Sequence, residues 1–233
     1  MTLPPERLIH SYGRRRGRPL RKGRAASLAG LLPRISVALP QQGQTLDSRA
    51  LFAAPPNDVW LEIGFGGGEH LAAQAAANPG VGFIGCEPYV NGMAALLKQV
   101  EAGGLANVRV WPGDGRELLP ALPDASIGRA FVLFPDPWPK ARHHKRRLIA
   151  PAFLDELDRI MRAGAELRLA TDDVDYLDWM LERVTVHPAF AWTARGPADW
   201  RERPADWPAT RYEEKAIAAG RRGYFLRFVR RAG

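Results

Sequence analysis

A carboxylate locked between two prolines, followed by a tryptophan and a dense basic run, is the constellation best suited to chemistry in this chain: Phe134-Pro-Asp-Pro-Trp-Pro-Lys-Ala-Arg-His-His-Lys-Arg-Arg147. The apolar stretch Arg129–Phe134 predicts a buried strand leading into it. Proline fixes φ and restricts the residue before it, so Asp136 sits on a stiff turn. Open α/β sheets place their chemistry in the crevice beyond the carboxyl ends of the strands. A rigid acid, an aromatic face and several cations at such a rim suit a nucleobase on a polyanionic strand. The bland alternative for Asp136 is a turn-capping residue.

A second constellation is Glu62-Ile-Gly-Phe-Gly-Gly-Gly68, placed where a strand over Asp58–Ile63 passes into a helix over Glu69–Ala77. Gly64, Gly66 and Gly68 permit a tight turn and close approach of a ligand to the backbone. A nicotinamide fingerprint asks for Gly or Ala where this chain has Glu69. A carboxylate at that helix start disfavours a pyrophosphate, so the loop suits a cofactor without phosphates. Two more acids end strands. Glu87 can accept from both ribose hydroxyls, and Asp114, in Gly113-Asp-Gly115, from an adenine amino group. The alternative is an ordinary turn with solvated acids.

The elements that must position these groups alternate. Strands are predicted at Asp58–Ile63, Gly82–Cys86, Asn107–Trp111, Arg129–Phe134, Glu166–Ala170 and Tyr224–Val229. Helices are predicted at Glu69–Ala77, Val90–Glu101, Pro151–Arg162 and Val174–Val184, with one more around Ser48–Ala54 and a short turn at Glu117–Leu119. This pattern implies an α/β fold: a mostly parallel sheet with helices on both faces. Trp192, Trp200 and Trp207 are expected to pack the C-terminal region.

With 233 residues and 46% hydrophobic composition the chain suits one domain, assigned to residues 27–233, behind a flexible basic arm at 1–26. The net charge is +8, and seven of the eleven residues from Arg14 to Arg24 are basic, which fits nucleic acid. Cys86 is the only cysteine, so an intrachain disulfide is excluded and a cytoplasmic setting is expected. No apolar run is long enough for a membrane span. His143 and His144 lack further ligands at metal-binding spacing, so they read as RNA-facing or solvated and no metal is expected.

The acid–glycine loop–acid–acid order resembles the S-adenosylmethionine site of Rossmann-like class I methyltransferases. The proline-locked motif is more specific. Together with Ile63-Gly-Phe-Gly-Gly-Gly68, Ala170-Thr-Asp172 and Thr210-Arg-Tyr-Glu-Glu-Lys215, it resembles the bacterial tRNA (guanine-N7)-methyltransferase family over roughly residues 58–230. One departure is Glu87-Pro-Tyr89, where many members have Glu-Val-His; the acid is retained. The resemblance implies methyl transfer from S-adenosylmethionine to N7 of guanine at position 46, in the variable loop of tRNA. It implies that Glu62, Gly64, Gly66, Gly68, Glu87 and Asp114 bind the cofactor, with Asp136 catalytic and beside it. It assigns Lys140, Asp172, Thr210, Arg211, Tyr212 and Glu213 to the tRNA substrate, and Arg142, His143, His144, Lys145, Arg146 and Arg147 to RNA contact. A monomer or a homodimer is compatible with the family.

Guanine N7 has a lone pair and no proton, so the chemistry asks for alignment and not for a base. Asp136 would hold guanine by N1–H and its amino group, or favour the developing cation; positioning is preferred. Trp138 or Tyr212 would stack on the base, or belong to the core. The alternatives are a methyltransferase for another RNA or a small molecule, and a non-catalytic RNA-binding subunit with a retained methyltransferase fold.

Overall fold

Five largely buried segments form the centre of the molecule, as expected of strands covered on both faces. They are β1 (Asp58–Ile63), β2 (Val81–Cys86), β3 (Val108–Trp111), β4 (Ile127–Leu133) and β5 (Met161–Thr171), all paired in parallel. Two later strands, β6 (Phe190–Trp192) and β7 (Tyr224–Arg230), join antiparallel and give the order β3-β2-β1-β4-β5-β7-β6. This computed structural model describes residues 12–41 and 43–232, leaving aside the side chains of Arg211, Tyr212 and Lys215. The predicted α/β architecture, a mostly parallel sheet between two helical layers, is the one found.

In chain order the helices are α1 (Lys22–Gly30), α2 (Leu32–Ile35), α3 (Glu69–Ala77), α4 (Val90–Gly103), α5 (Gly115–Leu118), α6 (Pro151–Ile160), α7 (Val174–Val186), α8 (Ala198–Arg201) and α9 (Arg211–Ala218). Alternation along each strand divides the core. Leu61, Ile63 and Ile84 face α6 and α7, packing with Phe153, Leu157, Tyr176 and Met180. On the other face Phe65, Leu71, Phe83, Met93, Leu96 and Leu97 form a second core under α3 and α4. Phe131, Ala170, Trp207 and Phe225 make a smaller third one, so Trp207 is core, as expected. Trp192 packs on Phe228 and Trp200 stacks on Tyr224. Among the described residues no helix is long and apolar enough to cross a membrane.

Several expectations are corrected. Residues 48–54 form turns, not a helix. Asp47 Oδ1 accepts the N–H groups of Arg49 and Ala50, and the chain runs on in turns. The helix predicted to reach Arg162 stops at Ile160, and β5 begins at Met161 with no intervening loop. Of the basic segment 1–26, residues 1–11 lie outside the described residues, and several of the others contact α4. Arg15 C=O accepts from Val90 N–H at 3.0 Å. Asn91 accepts from Gly17 N–H and donates to Arg18 C=O, each at 2.8 Å. Ser27, buried in α1, donates to Glu101 of α4 at 2.8 Å. Arg and Lys are good helix formers, which is why α1 starts inside a charged stretch.

Close packing of α4 under the β1–α3 loop depends on Gly92. A Cβ there would stand 2.1 Å from Gly66 C=O. Helix propensity alone would make Gly92→Ala stabilising by about 1 kcal/mol. Overpacking against backbone outweighs it, so the expected outcome is a net loss of about 1–3 kcal/mol, read from the urea midpoint.

Candidate active site

Strand order reverses between β1 and β4, and a cleft of about 430 Å³ opens there, at the carboxyl ends of the strands. Its walls include Glu62, Gly64, Gly66, Glu87, Asp114, Asp136, Trp138 and Thr210. The two constellations picked from sequence therefore share one cavity, although nearly 70 residues separate Gly68 from Asp136.

The glycine loop adopts the conformations its composition permits. Gly64, Gly66 and Gly68 have φ of 77°, 55° and 79°, in the left-handed region. Gly68 caps α3, and a Cβ on it would meet Leu96 at 2.6 Å. Glu87 holds the loop to the end of β2. Its Oε2 accepts from Gly66 N–H at 2.7 Å and its Oε1 from Tyr89 N–H at 2.8 Å. A carboxylate oxygen has two acceptor sites, so one on each oxygen remains for a ligand. Burial pushes the Glu87 carboxyl up to about 7, against the opposing pull of the two amides; Asp136 and Glu62 add to the rise.

Glu62 is buried and meets His70 Nδ1 at 2.7 Å. His70 sits on α3 against Phe131, and its Nε2 is buried without a protein partner. Sequence reasoning passed over His70. The signal was a histidine on the inward side of α3, among Leu71, Ala72 and Ala75. Asp114 caps α5 and is gripped by Arg116, whose Nε reaches Oδ1 at 2.9 Å and whose Nη2 reaches Oδ2 at 2.7 Å. Much of its acceptor capacity is thus used within the protein, unlike that of Glu87.

Asp136 is exposed at the cleft rim. The residues flanking its proline bracket are themselves strained: Phe134 and Trp138 have φ of 50° and 46°, unusual for bulky residues. Trp138 meets Tyr12 edge-on, with centroids 6.2 Å apart. The Arg146 guanidinium lies 4.4 Å from the Tyr12 ring and 4.9 Å from the Trp138 ring. Tyr12 and Arg14 line the cleft too, a contribution no motif announced.

The basic run divides. Lys140, Arg142 and Lys145 are exposed, His143 and His144 half-buried, on a short 3-10 helix over Ala141–Arg146. His144 packs on Trp179 and lies 3.6 Å from Asp175. Arg147, expected among the RNA contacts, is 3% exposed and points inward, to the Pro137 carbonyl and Asp175. Its guanidinium holds the Asp175 carboxyl below the usual range.

The residues expected to meet the tRNA substrate have different surroundings. Asp172 ends β5 and pairs with Arg221 at 3.2 Å. Thr210 lines the cleft and accepts Glu213 N–H on its hydroxyl at 3.3 Å. Glu213 is buried and pairs with Arg203 at 3.0 Å. Arg211 and Tyr212 begin α9; their side chains lie outside the described residues. Among the described residues no group of His, Cys, Asp and Glu is arranged to hold a metal ion.

The donor set defines what fits the cleft. Glu62, Glu69, Glu87 and Asp114 converge on a glycine loop at a helix start. That arrangement repels phosphate and suits a ligand offering hydroxyls and a cationic group. S-adenosylmethionine has both.

The comparisons agree with this geometry. A family model described as "Putative methyltransferase" matches residues 56–226. The tRNA (guanine-N(7)-)-methyltransferase of Rhodospirillum rubrum is 55% identical over 233 residues, covering 99% of this chain and 91% of that protein. The protein of the same name from Paramagnetospirillum magneticum is 51% identical over 222 residues, covering 95% of this chain and 92% of its own length. That of Jannaschia sp. is 46% identical over the full length of both. Among solved structures, the 16S rRNA methyltransferase KamB superposes with a TM-score of 0.55 at 16% identity, over 81% of this chain and 95% of that one. An antibiotic-related methyltransferase gives 0.52 at 17%, over 76% and 89%; at such identities the likeness is one of fold. With the family model spanning residues 56–226 and near-full-length relatives at about half identity, the chain belongs to the tRNA (guanine-N(7)-)-methyltransferase family.

Proposed function

We propose that this protein transfers a methyl group from S-adenosylmethionine to N7 of a guanine in tRNA, the base at position 46 in the variable loop. The observation that carries this reading is the shared cleft. The proline-locked Asp136 and Trp138 stand on the rim of the same cavity whose wall holds Glu62, Glu87 and the glycine loop. Incubation with bulk tRNA and labelled cofactor, then nucleoside analysis, tests it; label in any nucleoside but N7-methylguanosine refutes it.

In this reading Glu87 accepts from the ribose hydroxyls, Glu62 faces the cationic end with its orientation set by His70, and Asp114 borders the adenine. Bound there, S-adenosylmethionine supplies an electrophilic methyl group whose transfer leaves a neutral thioether and a cationic N7-methylguanine. The protein's part is placement. Asp136 accepts from guanine N1–H and the amino group, which aims N7 into the cleft. Being fixed before the base arrives, its negative charge also favours the base as it becomes cationic, without reorganisation. Trp138 offers a face for stacking, and Thr210 borders the same space. The exposed Lys140, Arg142 and Lys145 engage the phosphate backbone.

Three outcomes are expected. Glu87→Gln weakens cofactor binding by about 1–3 kcal/mol in a titration. The same change reveals a stability cost. The folded carboxyl ionises near 7, well above its ordinary 4.5. The stability of the ligand-free protein therefore falls as pH rises from about 4.5 to about 7, by on the order of 3 kcal/mol. The Gln variant removes that slope, and wild-type cofactor affinity improves several-fold between about pH 6 and about pH 8; denaturation and titration series measure both.

Asp136→Ala lowers single-turnover methylation by about a hundredfold or more at saturating cofactor and tRNA, while cofactor affinity stays within about twofold. No ionisation of a general base is required, because N7 has no proton to lose.

Neutralising Lys140, Arg142 and Lys145 together lowers the slope of log affinity for tRNA against log salt by about two to three. An unchanged slope would assign this helix to a merely solvated face.

A further inference from the structure

Arg147 ends the basic run and yet leaves the surface. Its Nε donates to the Pro137 carbonyl at 2.8 Å. Its Nη2 pairs with Asp175, in the first turn of α7. The guanidinium lies 5.0 Å from the Tyr176 ring and 4.8 Å from the Trp179 ring. An arginine buried this deeply persists only when paired and hydrogen-bonded, and here a carbonyl, a carboxylate and two aromatic faces meet that need.

The two elements joined by this fork are the ones that carry strand-end acids. Pro137 follows Asp136 on the turn beyond β4. Asp175 stands three residues beyond Asp172, where β5 has passed into α7. The turn is poorly equipped to hold itself. Pro135, Pro137 and Pro139 provide no N–H groups, and the strained φ values of Phe134 and Trp138 persist only if the surroundings impose them.

We propose that Arg147 is a positioning residue: by gripping the Pro137 carbonyl and Asp175 together it sets the Asp136 carboxylate relative to the first turn of α7, and it makes no contact with RNA. This rests on the methyl-transfer reading for its consequence, but not for its geometry. An RNA-binding arginine contributes counterion release and affinity. A positioning arginine contributes alignment, felt in turnover when both substrates are saturating. A merely space-filling one would be replaced by methionine without loss of either.

The test uses the full chain with Arg147→Met, Arg147→Lys and Asp175→Ala. Two readouts are single-turnover methylation at saturating cofactor and tRNA, and the salt dependence of tRNA binding. The third is amide hydrogen exchange of the 134–140 segment without ligands. For Arg147→Met the expected result is about a tenfold or greater fall in turnover and a comparable rise in exchange of the turn amides. Cofactor affinity and the salt slope stay at wild-type values. Arg147→Lys recovers part of the loss, since one ammonium cannot reproduce the fork. Asp175→Ala shows the same changes at a few-fold scale.

Wild-type turnover and exchange in Arg147→Met, with the salt slope reduced by about one, would overturn the proposal in favour of RNA contact. If Arg147→Met fails to fold, Asp175→Ala decides: its carboxylate is mostly exposed, and wild-type exchange and turnover in that variant overturn the proposal equally. The exchange readout involves no methyl transfer. A wild-type protein that makes no N7-methylguanine would thus count against the functional reading alone, while the exchange of the variants still decides the role of Arg147.

Discussion

Parallel strands have to be joined by crossovers, and in this sheet the crossovers run outward in both directions from the β1–β4 pair. Because the helices that follow β1 and β4 leave toward opposite faces, a gap opens between their carboxyl ends. Everything functional hangs on that opening. Side chains that end strands β1, β2 and β3 meet there with the turn that leaves β4, although they come from Glu62, Glu87, Asp114 and Asp136. The cleft then sets its own electrostatics. Four strand-end carboxylates and Glu69 line one cavity. Burial drives the Glu87 carboxyl up to about 7 against the pull of two backbone amides, and repulsion from Asp136 and Glu62 adds to the rise. A cationic ligand relieves that repulsion, so the free protein carries an unfavourable charge that its ligand makes favourable.

The two halves of the cleft are held by different means. On the cofactor side the backbone is pliable by composition, and Glu87 stiffens it with two amide hydrogen bonds. On the Asp136 side the backbone is stiff by composition, with three prolines, and sits between residues in the left-handed region. Glycine accepts positive φ at no steric cost, whereas Phe134 and Trp138 do not. That side needs outside restraint, and side chains of the following basic run provide it: Arg146 between the Tyr12 and Trp138 rings, Arg147 beneath Pro137.

How much of this was legible follows from what each signal depends on. Strands β1 to β5 and the helix over Glu69–Ala77 were readable because burial on both faces leaves runs rich in apolar residues, and because the glycines at 64, 66 and 68 have few other uses. Strand β6 was missed because its three residues carry no period. Near Ser48 Asp47 accepts the amides of Arg49 and Ala50 as a helix cap would, yet the chain continues as turns. Helix α1 was hidden in charge: Ser27 is its one buried residue, so no apolar stripe marks it. The site was legible by residue type, since acids, glycines and Pro-Asp-Pro are recognisable wherever they occur. The direction in which each arginine or glutamate points was not. Arg142 and Arg147 look alike in sequence, but one is exposed and one buried. Glu213 and Glu214 are adjacent, and only the first turns inward to Arg203.

That last distinction changes how the charge of the molecule is to be read. A net charge of +8 invites the view that every cation in the Lys140–Arg147 run serves a polyanion. Cations spent on internal carboxylates and aromatic faces contribute little to counterion release, which counts only those that neutralise phosphates. Arg116, Arg146, Arg147 and Arg221 are engaged with Asp114, the Tyr12–Trp138 pair, Asp175 and Asp172 respectively. Three of these four tie down an acid at or near a strand end. Arginine suits this work because its planar fork can bridge two elements and still lie flat on a ring, which an ammonium cannot do. Part of the positive charge of this chain thus serves the geometry of its own acids, while Arg14, Arg15, Arg16, Arg18, Lys140, Arg142 and Lys145 stay exposed at the surface.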